Sequence, residues 1–193
     1  PSITVTLDRL VQDAAQQAVD NQWRKAMLVV IKPSTGEILA VAQNSAADAD
    51  GPAATTGLYP PGSTFKIVTA GAAMDNKLAG PDTMVGCPGQ IDIGDRTIPN
   101  YDKFDLGLVP MSKAFADSCN TTFAELASRM SPTALTVAAS EYGIGPDYTI
   151  EGLTTVTGMV PASVDLAERT EDGFGQGKVL VTPGDWRFLT GFG

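Results

Sequence analysis

The stretch that gives the most information on the fold of this chain is Tyr59-Pro60-Pro61-Gly62-Ser63-Thr64-Phe65-Lys66. Proline restricts its own φ and glycine tolerates sharp turns, so Pro-Pro-Gly predicts a stiff turn. The residues that follow, Ile67–Asp75, predict a helix. Ser63 then lies at the helix start, where the helix dipole favours developing negative charge, and Lys66 returns to the same face three residues later.

This spacing pairs a hydroxyl with an amine. A serine hydroxyl needs a neighbouring base to act as a nucleophile at neutral pH. A lysine amine serves as that base only if desolvation or a nearby positive charge lowers its pKa. Ser63 and Lys66 are therefore the candidate nucleophile and base. A plainer interpretation is that Ser63 only caps a helix, because Ser-x-x-Lys strings also occur by chance.

Composition narrows the chemistry further. The 193 residues contain no histidine, which excludes Ser-His-Asp and Cys-His mechanisms. Two cysteines are too few for a thiolate zinc site, and no carboxylate loop signature is present, so the composition does not indicate a metal site. A net charge of −9 argues against a nucleic-acid partner, because phosphate binding needs a basic surface.

Strand-like and helical segments are segregated along the chain. Lys25–Ile31 and Glu37–Ala42 flank a turn and predict a β-hairpin, whereas Asn44–Pro61 predicts a long loop. Helical spacing predicts these further helices: Thr4–Asn21, Pro110–Asp117, Thr121–Met130 and Pro132–Tyr142. From Gly143 onward periodic signals are few. Segregation favours the α+β class, with a mostly antiparallel sheet and a helical layer, in a single domain over residues 1–193.

Beyond these local patterns, the Thr55–Ala70 block resembles the active-site block of penicillin-binding protein transpeptidases. That family places Ser-x-x-Lys, Ser-x-Asn and Lys-Thr/Ser-Gly elements around one cleft. Ser118-Cys119-Asn120 is similar to the second element in composition and in its distance from the first. Gly173–Gly177 and Val181–Pro183 resemble the Gly-Gln-Gly and Thr-Pro stretch of the same proteins.

Within the family, the chain looks class B-like. The amino-acid sequences of Asn100–Asp102 and Ala114–Phe123 most resemble those of actinobacterial penicillin-binding lipoproteins. The resemblance as a whole covers most of Ala26–Pro183. It implies the penicillin-binding and serine β-lactamase-like fold.

The resemblance also implies an activity, D,D-transpeptidation of peptidoglycan stem peptides ending in D-Ala-D-Ala, with acylation by β-lactams. It implies no metal or organic cofactor. Ser63 would be acylated, Lys66 would be its base, Ser118 would carry a proton to the leaving group, and Asn120 would bind the substrate's side-chain amide. The implied location is the outer face of the cytoplasmic membrane. A membrane anchor outside this chain and partners in cell-wall synthesis are also implied.

Other interpretations stay open at this point. On the same scaffold the chain could be a β-lactamase or a D,D-carboxypeptidase, although no deacylating carboxylate is identifiable. It could also be a non-catalytic sensor or degenerate domain. Taken singly, Ser118 has a plainer role as a helix cap, and Asn120 as a loop-to-backbone hydrogen-bonding residue.

The third family element is missing. No Lys-Thr-Gly, Lys-Ser-Gly or His-Thr-Gly string occurs, and the nearest, Leu189-Thr190-Gly191, lacks the cation. In the family this strand supplies a lysine for the substrate carboxylate and one N–H of the oxyanion hole. Loss of one such donor costs about 10²–10³ in rate. We therefore expect that a segment has been lost between Pro183 and Gly184, or that the polypeptide is truncated.

The two cysteines have two interpretations. Cys87 and Cys119 form a disulfide if the protein works outside the membrane, as the family does, because conditions there are oxidising. The alternative is a pair of small buried thiols. A disulfide would anchor the Ser118–Asn120 segment. We do not expect Cys119 to be a nucleophile, since no histidine or evident cation neighbours it in the sequence.

Overall fold

The computed structural model describes residues 4–185, so the Leu189–Gly191 string lies outside the described residues. The described chain divides into two compact units. Among the described residues, the first unit contains 4–59, 142–158 and 181–185. The second contains Pro60–Glu141 and Met159–Leu180. Between residues 4 and 185 the strands form three two-stranded antiparallel sheets beside helices, which confirms the α+β class.

The first unit is built from a helix and a β-hairpin. Its elements are α1 (Arg9–Asp20), β1 (Met27–Ile31), β2 (Ile38–Gln43), α2 (Ser45–Asp48) and α3 (Ala53–Thr56). The hairpin predicted from the sequence is confirmed, with Val29 opposite Val41 in the register. The predicted loop Asn44–Pro61 instead contains the two one-turn helices α2 and α3. Propensity is a weak guide for helices this short.

Hydrophobic alternation explains how this unit packs. Along β2, Ile38, Ala40 and Ala42 are buried and their neighbours are less so, which is the period of a half-buried strand. Ala15 and Val19 of α1 pack against Ala40 and Ala42. The small alanine side chains let the helix lie close to the strand, so one apolar face of α1 closes the cluster.

The second unit holds most of the helices. After a 3₁₀ turn at Gly62–Phe65, its elements are α4 (Lys66–Asp75), β3 (Met84–Cys87), β4 (Gln90–Ile93), β5 (Arg96–Pro99), β6 (Gly107–Pro110), α5 (Met111–Ala116), α6 (Asn120–Ser128), α7 (Ala134–Glu141) and α8 (Leu166–Asp172). β3 pairs with β6, and β4 pairs with β5. The helices predicted after Pro110 are confirmed with slightly shorter bounds.

Helix α6 is the centre of this unit. It packs against both α4 and α8, and its residues Phe123, Ala124 and Ala127 are fully buried. Phe65, the last residue of the 3₁₀ turn before α4, and Val68 on α4 are also fully buried. The contact between α4 and α6 matters for chemistry because each helix begins at a polar residue, Lys66 and Asn120 respectively.

Helix α8 is a further element that the sequence patterns did not predict. Five of its seven residues, Leu166-Ala-Glu-Arg-Thr-Glu-Asp172, are polar or charged, so no apolar stripe is visible. The sequence nevertheless contains a helix start signal, which is Asp165 directly before the first residue of α8. In the structure the Asp165 carboxylate accepts a hydrogen bond from the Glu168 N–H at 2.9 Å. An aspartate that caps a helix in this way is a common start signal.

Candidate active site

Ser63 is placed by a glycine turn in the second unit. Gly62 has a left-handed backbone, with φ of +58°, and its N–H donates to the Gly175 carbonyl at 3.0 Å. A Cβ atom at Gly175 would collide with the backbone of Gly62, so this approach requires glycine at position 175. Phe65 is fully buried two residues after Ser63. The turn is therefore held from both sides, while the Ser63 residue itself remains exposed.

Lys66 is the hub of the polar cluster beside Ser63. The residue is 1% exposed, yet its Nζ lies within hydrogen-bond distance of four oxygen atoms. These are Ser63 Oγ at 3.1 Å, Ser118 O at 2.7 Å, Ser118 Oγ at 2.9 Å and Asn120 Oδ1 at 2.6 Å. The four predicted site residues are thus brought together around one amine.

Burial changes the acid strength of this amine. Desolvation lowers the pKa of Lys66 from 10.5 to about 8, because the charged form loses its hydration inside the protein. At pH 7 roughly one molecule in ten would then carry a neutral amine at this position. A neutral amine can accept the Ser63 hydroxyl proton, which a protonated one cannot.

Ser118 is held in a strained backbone conformation. It follows the C-terminus of α5 with φ of +58°, and its N–H donates to the Phe115 carbonyl. The next N–H, from Cys119, reaches the Ala114 carbonyl, which completes a Schellman-type helix end. Glycine is the usual residue at this left-handed position, so the serine costs conformational energy. The conformation brings both the carbonyl and the hydroxyl of Ser118 to Lys66.

Asn120 connects the amine to the β4–β5 hairpin. It is the first residue of α6, and its Oδ1 accepts from Lys66. Its Nδ2 donates to the Pro99 carbonyl on β5 at 3.2 Å. Because the oxygen is used inside the cluster, the amide nitrogen is fixed toward the hairpin.

A disulfide lies directly beside this segment. Cys87 on β3 and Cys119 are joined by an S–S bond, with their Cα atoms 6.1 Å apart. Asn100 supports the same place, since its Oδ1 accepts from the Thr121 N–H at 3.1 Å and its Nδ2 donates to Pro88 O and Phe104 O. The backbone between Ser118 and Thr121 is therefore tied to β3 and to the β5–β6 connection.

A cavity of about 510 Å³ opens at Ser63 within the second unit. Its walls come from β5, from the start of α6, and from the end of α8 with the glycine-rich loop after it. The lining residues are Ser63, Arg96, Thr97, Ile98, Pro99, Asn120, Glu171, Phe174 and Gln176. Sequence reasoning did not select Arg96 or Glu171. Phe174 and Gln176 lie inside the Gly173–Gly177 string, which was noted without a role.

Two further properties concern residues 4–185. In that part of the chain, no helix is both long and apolar enough to cross a membrane. The same residues contain no cluster of three or more His, Cys, Asp or Glu side chains placed to bind a metal ion.

Comparison with known proteins identifies the family. A model of the penicillin binding protein transpeptidase domain matches residues 26–185. The match covers most of the chain, and the chain belongs to this family. The resemblance seen in the three sequence blocks is therefore confirmed.

Individual relatives agree. Peptidoglycan D,D-transpeptidase PbpA of Mycolicibacterium smegmatis is 29% identical over 218 aligned positions, which cover 94% of this chain and 44% of the relative. The D,D-transpeptidase domain of a peptidoglycan glycosyltransferase from Eggerthella lenta superposes with a TM-score of 0.82 at 29% identity, covering 95% of this chain and 52% of that one.

A solved acyl-enzyme is also similar. The imipenem acyl-enzyme complex of penicillin-binding protein A from M. tuberculosis gives a TM-score of 0.84 at 25% identity, covering 96% of this chain and 50% of that chain. This chain thus spans about half the length of each of these three proteins. These superpositions confirm the predicted fold, that of penicillin-binding protein transpeptidase domains.

Proposed function

We propose that this domain is a serine D,D-transpeptidase that cross-links peptidoglycan stem peptides through an acyl-Ser63 intermediate. The observation that carries the proposal is the position of the buried Lys66 amine, 3.1 Å from Ser63 Oγ, with a pKa of about 8. General-base assistance of this kind contributes typically about 10²–10⁴ in rate. Membership of the transpeptidase family supports the same chemistry.

Acylation would proceed by addition and elimination. Ser63 Oγ attacks the carbonyl carbon of the penultimate D-Ala, and its proton passes to the neutral Lys66 amine. The C–N bond to the terminal D-Ala then breaks, and a proton reaches the leaving nitrogen through the Ser118 hydroxyl, which is 2.9 Å from Lys66 Nζ. The products are free D-alanine and an ester on Ser63.

The second half reverses the roles. The amine of another stem peptide attacks the ester carbonyl, its proton returns through the same amine, and Ser63 is released as the hydroxyl. Asn120 Nδ2 donates to Pro99 O, and we propose that it exchanges this bond for one to the amide of the bound peptide. A β-lactam would follow the first half only and remain attached to Ser63.

The proposed setting is the cell envelope, on the outer face of the cytoplasmic membrane, where D-Ala-D-Ala stem peptides are found. The Cys87–Cys119 disulfide supports an oxidising environment. The proposal includes a membrane anchor that lies outside this chain. It also includes partner proteins that belong to the cell-wall synthesis machinery. The acyl-enzyme complex of the M. tuberculosis relative supports β-lactams as ligands.

The absent third element belongs to this proposal too. We propose that residues 1–193 form one transpeptidase domain that lacks a segment near Pro183 and Gly184. The alignment with PbpA runs over 218 positions, more than the 193 residues of this chain, so the relative has positions without a counterpart here. If that segment supplies the second oxyanion donor, its loss would slow acylation of Ser63 by about 10²–10³.

Intact-protein mass spectrometry tests the function directly. The protein is incubated with benzylpenicillin, and Ser63→Ala serves as the control. A stable single adduct on the wild type and none on the variant is expected. Rapid release of hydrolysed penicillin would instead favour a β-lactamase. No adduct on either protein would reject the transpeptidase proposal for this chain, and the mass of the untreated protein would reveal any residues beyond the 193.

A further inference from the structure

The cavity at Ser63 contains an ion pair that the proposed mechanism does not use. Arg96 Nε on β5 lies 3.6 Å from Glu171 Oε1 on α8, and both residues line the cavity. Among the described lining residues these two carry the charge; the others are polar or apolar. The side chains are partly exposed, 56% for Arg96 and 33% for Glu171.

The backbones that carry this pair are well anchored. Ile98, two residues from Arg96, is buried and faces Ile91 across the hairpin. The carbonyl of Glu171 accepts from the N–H groups of Phe174 and Gln176 at 3.3 and 3.0 Å. A rigid backbone with partly exposed charged tips is suited to binding a ligand without rearrangement of the fold.

The pair itself is easily opened. Exposed ion pairs contribute little to stability because water solvates the separated charges well. A ligand with one charge would satisfy one partner and release the other into solvent. A ligand with an ammonium and a carboxylate on the same carbon would replace both halves of the pair at once.

We propose that Arg96 and Glu171 form a charge-selective subsite for a zwitterionic amino-acid group of the peptide substrate, with the ligand carboxylate on Arg96 and its ammonium on Glu171. The inference rests on the proposed function, since it places this group in the cavity at Ser63. It adds a substrate property, a free amino-acid centre on the peptide, that the Ser63 chemistry does not require.

Three penicillins test each half of the subsite in acylation. Benzylpenicillin has an uncharged side chain, ampicillin adds an ammonium, and carbenicillin adds a carboxylate. In Arg96→Gln, the free Glu171 should raise the acylation rate of ampicillin relative to benzylpenicillin by roughly three- to tenfold. In Glu171→Gln, the free Arg96 should raise that of carbenicillin by a similar factor.

A second ion pair provides matched controls. Lys32 and Glu37 lie 3.3 Å apart with side chains 48% and 42% exposed, and neither lines the cavity. Lys32→Gln and Glu37→Gln change the net charge by the same amounts as the test variants. Unchanged penicillin preferences in Arg96→Gln and Glu171→Gln, or the same changes in the controls, would overturn the subsite.

Binding without acylation separates this inference from the proposed function. In Ser63→Ala protein labelled with ¹⁵N, the Arg96 Nε–H resonance is followed during titration with D-alanine, N-acetyl-D-alanine and D-alanine amide. The zwitterion should shift this resonance more than either blocked compound does. Equal shifts, or no shift with D-alanine, would overturn the subsite even if the wild type forms a penicillin adduct. A selective shift would support it even if no adduct forms.

Discussion

Two buried ionisable groups in the second unit invite comparison, Lys66 and Asp172. Each is 1% exposed, and desolvation is the largest cause of the pKa shift in each, downward for Lys66 and upward for Asp172. Both shifts favour the neutral form, as burial always does. A perturbed pKa therefore does not by itself distinguish the two.

Their partners do distinguish them. The Asp172 carboxylate accepts from the Ser163 hydroxyl and from the Lys178 N–H, and a Cβ atom at Gly177 would collide with it. These partners are buried or belong to the backbone, so the carboxylate holds the loop after α8. Lys66 instead contacts the exposed Ser63, which lines a cavity. A buried charge is a candidate for chemistry when its proton can reach a group that a ligand can touch.

Replacement of each group should give the largest contrast. Lys66→Met keeps the length of the side chain and removes the base, so benzylpenicillin acylation should fall by about 10²–10⁴ while the protein stays folded. Asp172→Asn is nearly isosteric and keeps an acceptor for the Lys178 N–H, so acylation should change far less. The rates come from adduct formation over time in mass spectrometry. Equal losses of acylation rate in Lys66→Met and Asp172→Asn would contradict the distinction between the two groups.

The pH dependence of acylation is the next effect. Because the neutral amine is the base and its pKa is about 8, the acylation rate should rise about tenfold per pH unit below that value and level off above it. Stopped-flow or quenched mass spectrometry with benzylpenicillin gives this profile. A flat profile between about pH 6 and 8 would contradict a role for Lys66 as the base.

Stability should respond to pH with opposite signs at the two sites. Between about 8 and 10.5 the unfolded chain holds the Lys66 proton and the native protein does not, so the free energy of unfolding gains up to about 3 kcal/mol as pH rises. The pKa of Asp172 is raised above 3.8 in the native protein. The free energy of unfolding therefore falls as pH rises from 3.8 through this raised pKa.

Urea unfolding of the wild type, Lys66→Met and Asp172→Asn at a series of pH values separates these contributions. The difference between wild type and Lys66→Met should depend on pH only in the alkaline interval. The difference for Asp172→Asn should depend on pH only in the acidic one. Parallel curves for all three proteins would show that neither group has a shifted pKa.

The smallest effect concerns the backbone at Ser118. Glycine relieves the left-handed conformation and alanine does not, so Ser118→Gly should be about 1 kcal/mol more stable than Ser118→Ala. Both variants lose the hydroxyl and should slow acylation to a similar extent. Urea midpoints at equal m values give the difference in stability. An Ser118→Ala protein as stable as Ser118→Gly would indicate that the strain is absent in solution.

Local patterns predicted much of the fold. The β1–β2 hairpin follows from alternating apolar residues around a turn, and α5, α6 and α7 follow from helical spacing. The short helix α8 was not predicted because its residues are mostly polar and its burial depends on contact with α6. The one-turn helices α2 and α3 are similar cases, in which packing and not propensity decides the conformation.

The sequence by itself determined the pairing of Ser63 with Lys66, because residues three apart on a helix share a face. It also determined the family, through the Thr55–Ala70 block together with the Ser118–Asn120 segment. Only the tertiary structure decided that Ser118 and Asn120 meet the same amine, that Arg96 and Glu171 share the cavity, and that the pKa of Lys66 falls to about 8. Desolvation depends on every atom that displaces water, and those around Lys66 come from segments far apart in the chain.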